Sequence, residues 1–342
     1  MADLFHILET AVNAVVPIVL LILLGYVLRQ KGFLTEGFVS VGSKLVFTLL
    51  LPVMLFINVY EIESIADIRW DVAAYCVGMV LFLFVLGLVL IPLITKVPER
   101  RGVILQCLFR SNTAIIGLSL AATLGSSEAV AVTSVATAFT VPVLNILGVI
   151  ALMIYVDRGD GHKVDIRGIL KNIAANPLII GIMLGMCALL IRTVQVACFG
   201  EVVFSLSKDL KFLYTALNNL KAITSPLALL VLGGQFEFSA TKGLLKEITA
   251  GTLLRVAAAP LIAIGTAVLL TRIGLISFGV DEYPALIAIF GTPVAVASAI
   301  MAGQMKNDEQ LATQLVVWTS ICSIVTMFLT VCLLMAAGLL AV

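Results

Sequence analysis

Ten runs of mostly apolar residues, roughly 10–28, 38–59, 72–95, 103–124, 130–155, 169–191, 212–235, 249–271, 284–304 and 311–340, follow one another with polar connections between them. A helix needs about 20 such residues to cross the hydrocarbon of a bilayer. The runs are continuous, whereas the strands of an outer-membrane barrel alternate apolar and polar positions. The pattern predicts an all-α polytopic membrane protein with ten transmembrane helices. Only the stretches around 156–168 and 192–211 exceed a short connection, so no appended soluble domain is expected. The first run follows acidic Asp3 and Glu9 rather than a basic region, and is read as a retained helix rather than a signal peptide.

Polar and helix-breaking residues recur at matched spacings in the two halves. Pro17 and Gly25 are eight residues apart, as are Pro177 and Gly185; Lys44 and Pro52 match Asn218 and Pro226; Asn112 stands sixteen residues before Glu128, and Pro293 sixteen before Glu309. This order predicts an internal duplication: a first five-helix repeat over 9–155, a short cytoplasmic linker over 156–168 and a second repeat over 169–341. Alternate connections, with the span ends beside them, hold 14 lysines and arginines against 5 in the others. Basic residues mark the cytoplasmic side, which places both termini outside the cytoplasm. Five helices per repeat is an odd number, so the second repeat must enter from the opposite side and the duplication is inverted.

Composition narrows the class further. The chain is 61% hydrophobic and only 12% charged, with mean hydropathy +1.17; soluble domains carry about 25% charged residues. Six cysteines lie mostly within apolar runs with no regular spacing, and His6 and His162 lie outside them. No metal site, catalytic site or cofactor is expected, and the protein is not read as an enzyme.

Candidate chemistry concentrates where the apolar runs are interrupted. Pro293, preceded by Gly291 and Thr292, removes a helix hydrogen bond. In the fourth run a break rests on Ser111, Asn112 and Thr113, whose side chains prefer helix ends to interiors. A half-helix beginning there presents free N–H groups and a positive dipole end, suited to an anion. Ser111, Asn112, Thr113, Thr292, Pro293 and Val294 are therefore the candidate substrate contacts. Gly117, Gly291, Pro293, Pro52 and Pro226 are the candidate crossover or hinge positions, with a simple kink the competing reading for each of the three prolines. Every acidic residue that can be placed lies in a loop or at a helix end, while Lys221 and Arg255 fall inside apolar runs. Snorkelling toward the polar Lys246-Glu247 end is expected for Arg255; Lys221 is equally a snorkelling residue and a seventh substrate contact. A cation without an acidic partner favours an anionic substrate. Asn58, Gln235 and Ser298 offer neutral oxygens for a coupling ion.

Four elements in order, Leu51-Pro52-x-x-Leu55-Phe56, Ser111-Asn112-Thr113-x-x-x-Gly117-Leu118, Asn176-Pro177-Leu178-Ile179-Ile180-Gly181 and Thr292-Pro293-Val294-Ala295-x-Ala297-Ser298, resemble the auxin efflux carrier family of plant PIN proteins and bacterial malate or malonate permeases. The resemblance implies two inverted five-helix repeats with broken, crossed helices four and nine, as in bile-acid symporters. It further implies an elevator-like movement of segments three to five and eight to ten against a scaffold of one, two, six and seven. By the same likeness, Asn112 and Pro293 mark the crossover, and Asn112 with the N–H groups after it meets the substrate carboxylate. Two departures stand out: Ser119 occupies a position where the family often has proline, and the long central loop of many plant members is absent, which points to a short bacterial-type carrier.

The expected function is secondary active transport of small organic anions by alternating access. Two alternatives stay open: a sodium- or proton-coupled carrier of another solute class on the same fold, and a membrane sensor. The expected partners are a small carboxylate and the lipid bilayer, with homodimerisation left open and no nucleic acid. The expected location is a bacterial inner membrane, and the coupling ion, Na+ or H+, is undetermined.

Overall fold

The computed structural model describes residues 2–61, 69–117, 120–121, 124, 126–155 and 175–340. The proposed 156–168 linker, with His162, and Ser119 lie outside the described residues. Helices dominate: α1 (Ala2–Gln30), α2 (Glu36–Leu45), α3 (Leu51–Tyr60), α4 (Trp70–Ile94), α5 (Pro98–Phe109), α6 (Ser127–Ile154) and α7 (Pro177–Phe199). They are followed by α8 (Leu206–Asp209), α9 (Lys211–Gln235), α10 (Phe238–Leu253), α11 (Ala259–Arg272), α12 (Tyr283–Leu286), α13 (Ala297–Gln304) and α14 (Glu309–Ala336).

Seven helical stretches among the described residues are long and apolar enough to cross a membrane: Glu36–Tyr60, Trp70–Ile94, Glu128–Ile154, Pro177–Phe199, Lys211–Gln235, Thr241–Arg272 and Glu309–Ala336. The protein is a polytopic, mostly α-helical membrane protein. Three expected spans are not among these seven. The first lies on the 29-residue helix α1 (Ala2–Gln30), and the fourth and ninth are not continuous helices at all.

Prolines explain much of the irregular helix. Single π-helical turns occupy Val46–Leu50, Leu254–Ala258 and Ile287–Gly291, and each ends two residues before a proline, Pro52, Pro260 and Pro293. A proline cannot donate to the carbonyl four residues back and its ring crowds that carbonyl; widening the preceding turn is one way to accommodate it. A fourth π turn, Thr113–Gly117, stands two residues before Ser119, where the resembled family often carries proline. Pro226, by contrast, sits within α9, which runs on through it. The Asn176-Pro177 pair has a plain local role: the Asn176 side chain accepts from Leu178 N at 2.9 Å, and Pro177 takes the first helical turn, where no donor is needed.

Glycines set two close helix crossings, and these crossings repeat one another. A Cβ on Gly25 of α1 would come within 2.2 Å of Leu230 O on α9, and one on Gly185 of α7 within 2.9 Å of Phe56 O on α3. Gly25 and Gly185 occupy matched places in the two halves, each eight residues after a proline. Their targets match as well, since Phe56 and Leu230 each lie four residues after Pro52 and Pro226. Close backbone approach through small residues is how helices associate where lipid supplies no hydrophobic drive. At the polar ends, Arg100 at the start of α5 donates to Glu247 on α10 at 2.9 Å and to Asp308, the α14 cap, at 3.0 Å, while Arg69 before α4 pairs with Glu282 before α12.

Because the obstruction at Gly25 is backbone that cannot swing aside, Gly25→Leu should lower thermal stability in detergent by about 3 kcal/mol, the upper end of overpacking costs. Gly265→Leu, at a position with open space around it, is the control. Equal melting temperatures for the two variants would remove the packing role given to Gly25.

Candidate functional site

The two interrupted segments meet. Helix α5 ends at Phe109, Arg110 turns extended at φ −93° and ψ 109°, and the chain resumes as the π turn from Thr113. In the later segment the π turn ends at Gly291, Thr292 is extended, and α13 begins at Ala297. Ser111 and Val294 form an antiparallel bridge, in which Asn112 N donates to Pro293 O at 2.8 Å and Ala295 N to Arg110 O at 3.3 Å. Each unwound strand thus serves as hydrogen-bond partner to the other. That pairing satisfies backbone groups that could not be left open inside a membrane protein.

Arg255 supplies the second half of the solution. It is fully buried on the π turn between α10 and α11. Its Nε donates to Thr292 O at 2.9 Å, one Nη to Leu108 O at 3.2 Å, and the other to Ile289 O at 3.4 Å and Phe290 O. These carbonyls belong to the last turns of both first half-helices, the negative ends of their dipoles. The expected snorkelling of Arg255 toward the polar Lys246-Glu247 end is therefore corrected. The side chain turns inward because a planar fork of donors fits several carbonyls at once, and they leave it no reason to seek water.

Arg110 was not among the residues singled out from the sequence, because a charge count by connection groups it with the span ends. It lies well inside the 103–124 run and is only 3% exposed. One Nη donates to Gln106 Oε1 at 2.7 Å and Ser298 Oγ at 3.4 Å and touches the Met301 sulfur; the other donates to Asn145 Oδ1 at 2.7 Å. Asn145 is held in turn by donating to Val141 O at 2.8 Å. Gly148 lies against the Arg110–Gln106 pair: a Cβ there would come within 3.2 Å of Gln106 Oε1. All these partners are neutral. Among the described residues, no carboxylate lies within ion-pair distance of Arg110 or Arg255.

A small cavity of about 60 Å³, partly open to the outside, lies against the meeting point. It is lined by Arg110, Ser111, Asn112 and Ala295 to Ala297 from the two breaks, by α3 through Asn58, by α6 through Asn145 and by α9 through Thr224 and Ser225. Of the proposed substrate contacts, Ser111 and Asn112 face this space. Thr113 is buried, its Oγ1 2.6 Å from Ser111 Oγ. Thr292 is buried, its carbonyl accepting from Arg255 and its hydroxyl donating to Ala288 O at 2.9 Å; Val294 is buried at the bridge, its N donating to Thr319 Oγ1 at 3.3 Å. Lys221 is elsewhere: its Nζ lies 2.5 Å from Glu61 Oε2, so the cation read as lacking an acid has one.

The hinge and ion positions are likewise spread. Gly117 packs against Ala288, where an added Cβ would meet its neighbour at 2.9 Å, and so marks where the two π turns touch. Gly291 closes the later π turn, and Pro52 opens α3 beside the cavity-lining Leu51. Asn58 lines the cavity and Ser298 holds Arg110, whereas the Gln235 amide donates to Ser43 Oγ at 2.7 Å at the far end of α9. No group of three or more metal-binding side chains occurs among the described residues.

A sequence-family profile described as membrane transport protein matches residues 10–167 and 162–331. The chain belongs to this family of membrane transport proteins. No curated protein sequence matches it. In this transporter the paired strands, the arginine behind them and the cavity before them form one unit built from segments far apart in the chain.

Arg255→Met should leave carbonyls of both half-helices without donors and lower stability by about 3 kcal/mol or more, at about 1–3 kcal/mol for each unsatisfied group. Arg255→Lys, with a point charge in place of a fork, should fall between. Thermal unfolding followed by circular dichroism in detergent measures both, and an unchanged transition for Arg255→Met would contradict the stapling role.

Proposed function

We propose that the protein is a secondary active transporter of small organic anions, carboxylates above all, that works by elevator-like alternating access. The single observation that carries this reading is the buried guanidinium of Arg110, held by neutral groups at the edge of the cavity. A cation inside a membrane segment costs about 2.5–3.5 kcal/mol on insertion scales, so it calls for a purpose. Arg110 has five N–H donors to give, and the protein offers three oxygens and a thioether. A carboxylate entering the cavity would take up what remains and neutralise the charge.

Asn112, Ser111 and the first amides of the two second half-helices complete the site in this reading, since a half-helix N-terminus favours an anion. The two interrupted segments act as the crossed helices four and nine of an inverted five-plus-five arrangement. The matched glycine crossings and the loop charges support that arrangement, the latter with both termini outside the cytoplasm of a bacterial inner membrane. In the same scheme α3 and α9 belong to a fixed scaffold, and the paired breaks move past them carrying substrate; the scaffold is also where a homodimer would form. Ser298 already accepts from Arg110, so sodium coupling would draw on Asn58 rather than on that hydroxyl.

Uptake of radiolabelled mono- and dicarboxylates into proteoliposomes, with and without sodium and pH gradients, tests the reading. Arg110→Gln should lower carboxylate uptake at least about 30-fold, since deleting one partner of a buried charged contact costs about 2–5 kcal/mol. Asn112→Ala and Pro293→Ala should abolish flux in protein that still inserts. A folded Arg110→Gln variant with wild-type uptake would overturn the proposal.

A further inference from the structure

The Lys221–Glu61 pair lies outside the cavity lining, on the two elements that bring Asn58, Thr224 and Ser225 to it. Glu61 ends α3, three residues beyond the cavity-lining Asn58; Lys221 lies on α9, three and four residues before the cavity-lining Thr224 and Ser225. Residues three and four apart share a helix face, and one turn spans about 5.4 Å. Both members of the pair are therefore set one turn from the cavity wall on its scaffold side. They are partly open, with side chains 28% and 38% exposed for Lys221 and Glu61.

The pair is built so that it can open at low cost. Glu61 uses Oε2 for Lys221 and Oε1 for the Tyr214 hydroxyl, which donates at 2.9 Å. Tyr214 is in turn placed by its own helix, its carbonyl accepting from Asn218 Nδ2 at 3.1 Å. If Lys221 turned away, the carboxylate would keep a donor. Lys221 has three N–H donors on a flexible stem, of which Glu61 takes one in the described contacts. Its ammonium can reach toward an incoming carboxylate before releasing Glu61.

Resting on the reading of this cavity as a carboxylate site, we propose that Lys221 is an outer anion-recruiting site for monocarboxylates, with Glu61 as the resident carboxylate that the substrate displaces. Substrate would pass from Lys221 along the polar Asn58, Thr224 and Ser225 to Arg110. Glu61 therefore sets specificity by competition, because an anion enters only if it binds Lys221 better than the protein's own carboxylate does. An ion pair that merely ties α3 to α9 has a different signature. In a tie, removing either partner has the same effect; in a competition, the two removals act in opposite directions.

Full-length protein in proteoliposomes distinguishes these cases, with acetate and pyruvate as probes. Glu61→Gln should lower KM by about three- to fivefold, the scale of a partly exposed ion pair, while Lys221→Gln should raise it by a similar factor. In both variants, kcat and melting temperature should stay near wild type. The Lys221→Gln variant should also lose part of the fall in uptake rate seen as ionic strength rises, since screening acts on that charge. KM changes of the same sign in the two variants, or no change in either, would overturn the recruiting role. Should the wild-type protein carry no carboxylate at all, the broader transport proposal fails instead, a result separable from any mutant comparison.

Discussion

Carbonyl groups left over where two helices end inside a membrane protein have to be met by donors from the chain itself, because lipid offers none. Much of this structure follows from how that requirement is met. Arg255 reaches the final turns of both half-helices with one guanidinium, and the two unwound strands bond to each other through Asn112 and Pro293. Once the carbonyls are held, the chain can afford two interruptions at one place. The polar side chains at the break, Ser111 and Asn112, are then left to line a cavity.

The satisfied break also fixes where the remaining charge stands. Arg110 is the residue at which α5 gives way to extended backbone, and its carbonyl accepts from Ala295 across the bridge. Its side chain therefore starts from a rigid point and extends to Gln106, Asn145 and Ser298, on three different helices. Position and partners of this guanidinium are consequences of the backbone pairing. The charge is fixed before a substrate arrives, which avoids the ordering cost of assembling a site on binding.

The broad fold was legible because its causes are local. Apolar runs, matched prolines and the Asn176 cap each act within a turn or two of themselves, and the glycines that let α1 meet α9 and α3 meet α7 stand at the matched positions. The break at Pro293 was legible for the same reason. The break at Asn112 was harder, since it lacks a proline and depends on a strand 181 residues away for its hydrogen bonds. The arginines were the least legible. A charge count by loop cannot tell a residue at a span end from one at a mid-segment break, so Arg110 was absorbed into the tally. Nor can a hydropathy run show that Arg255 faces unpaired carbonyls, because those carbonyls exist only after two distant helices have stopped. Lys221 failed differently: its partner Glu61 closes a separate helix, 160 residues away.

Three buried or half-buried cations near one cavity might be taken as a single basic patch, but their partners set them apart. Arg255 gives four of its five donors to backbone oxygens, and its charge offsets helix dipoles. Lys221 is matched by a carboxylate that is itself partly exposed, so its charge is cancelled until something competes. Arg110 alone combines full burial, neutral partners and a face toward the cavity. Coulomb energy between unit charges at 4 Å rises from about 1 kcal/mol in water to about 4 kcal/mol at an effective dielectric of 20. Under the proposed carboxylate transport, the same anion would be held weakly beside Lys221 and more strongly beside Arg110. A gradient of that kind would draw substrate inward without a deep trap on the way, and release would then depend on moving the Arg110 site itself to the other side. Carrying the strong site on the paired breaks and the weak one on α3 and α9 is the division of parts that the proposed movement requires.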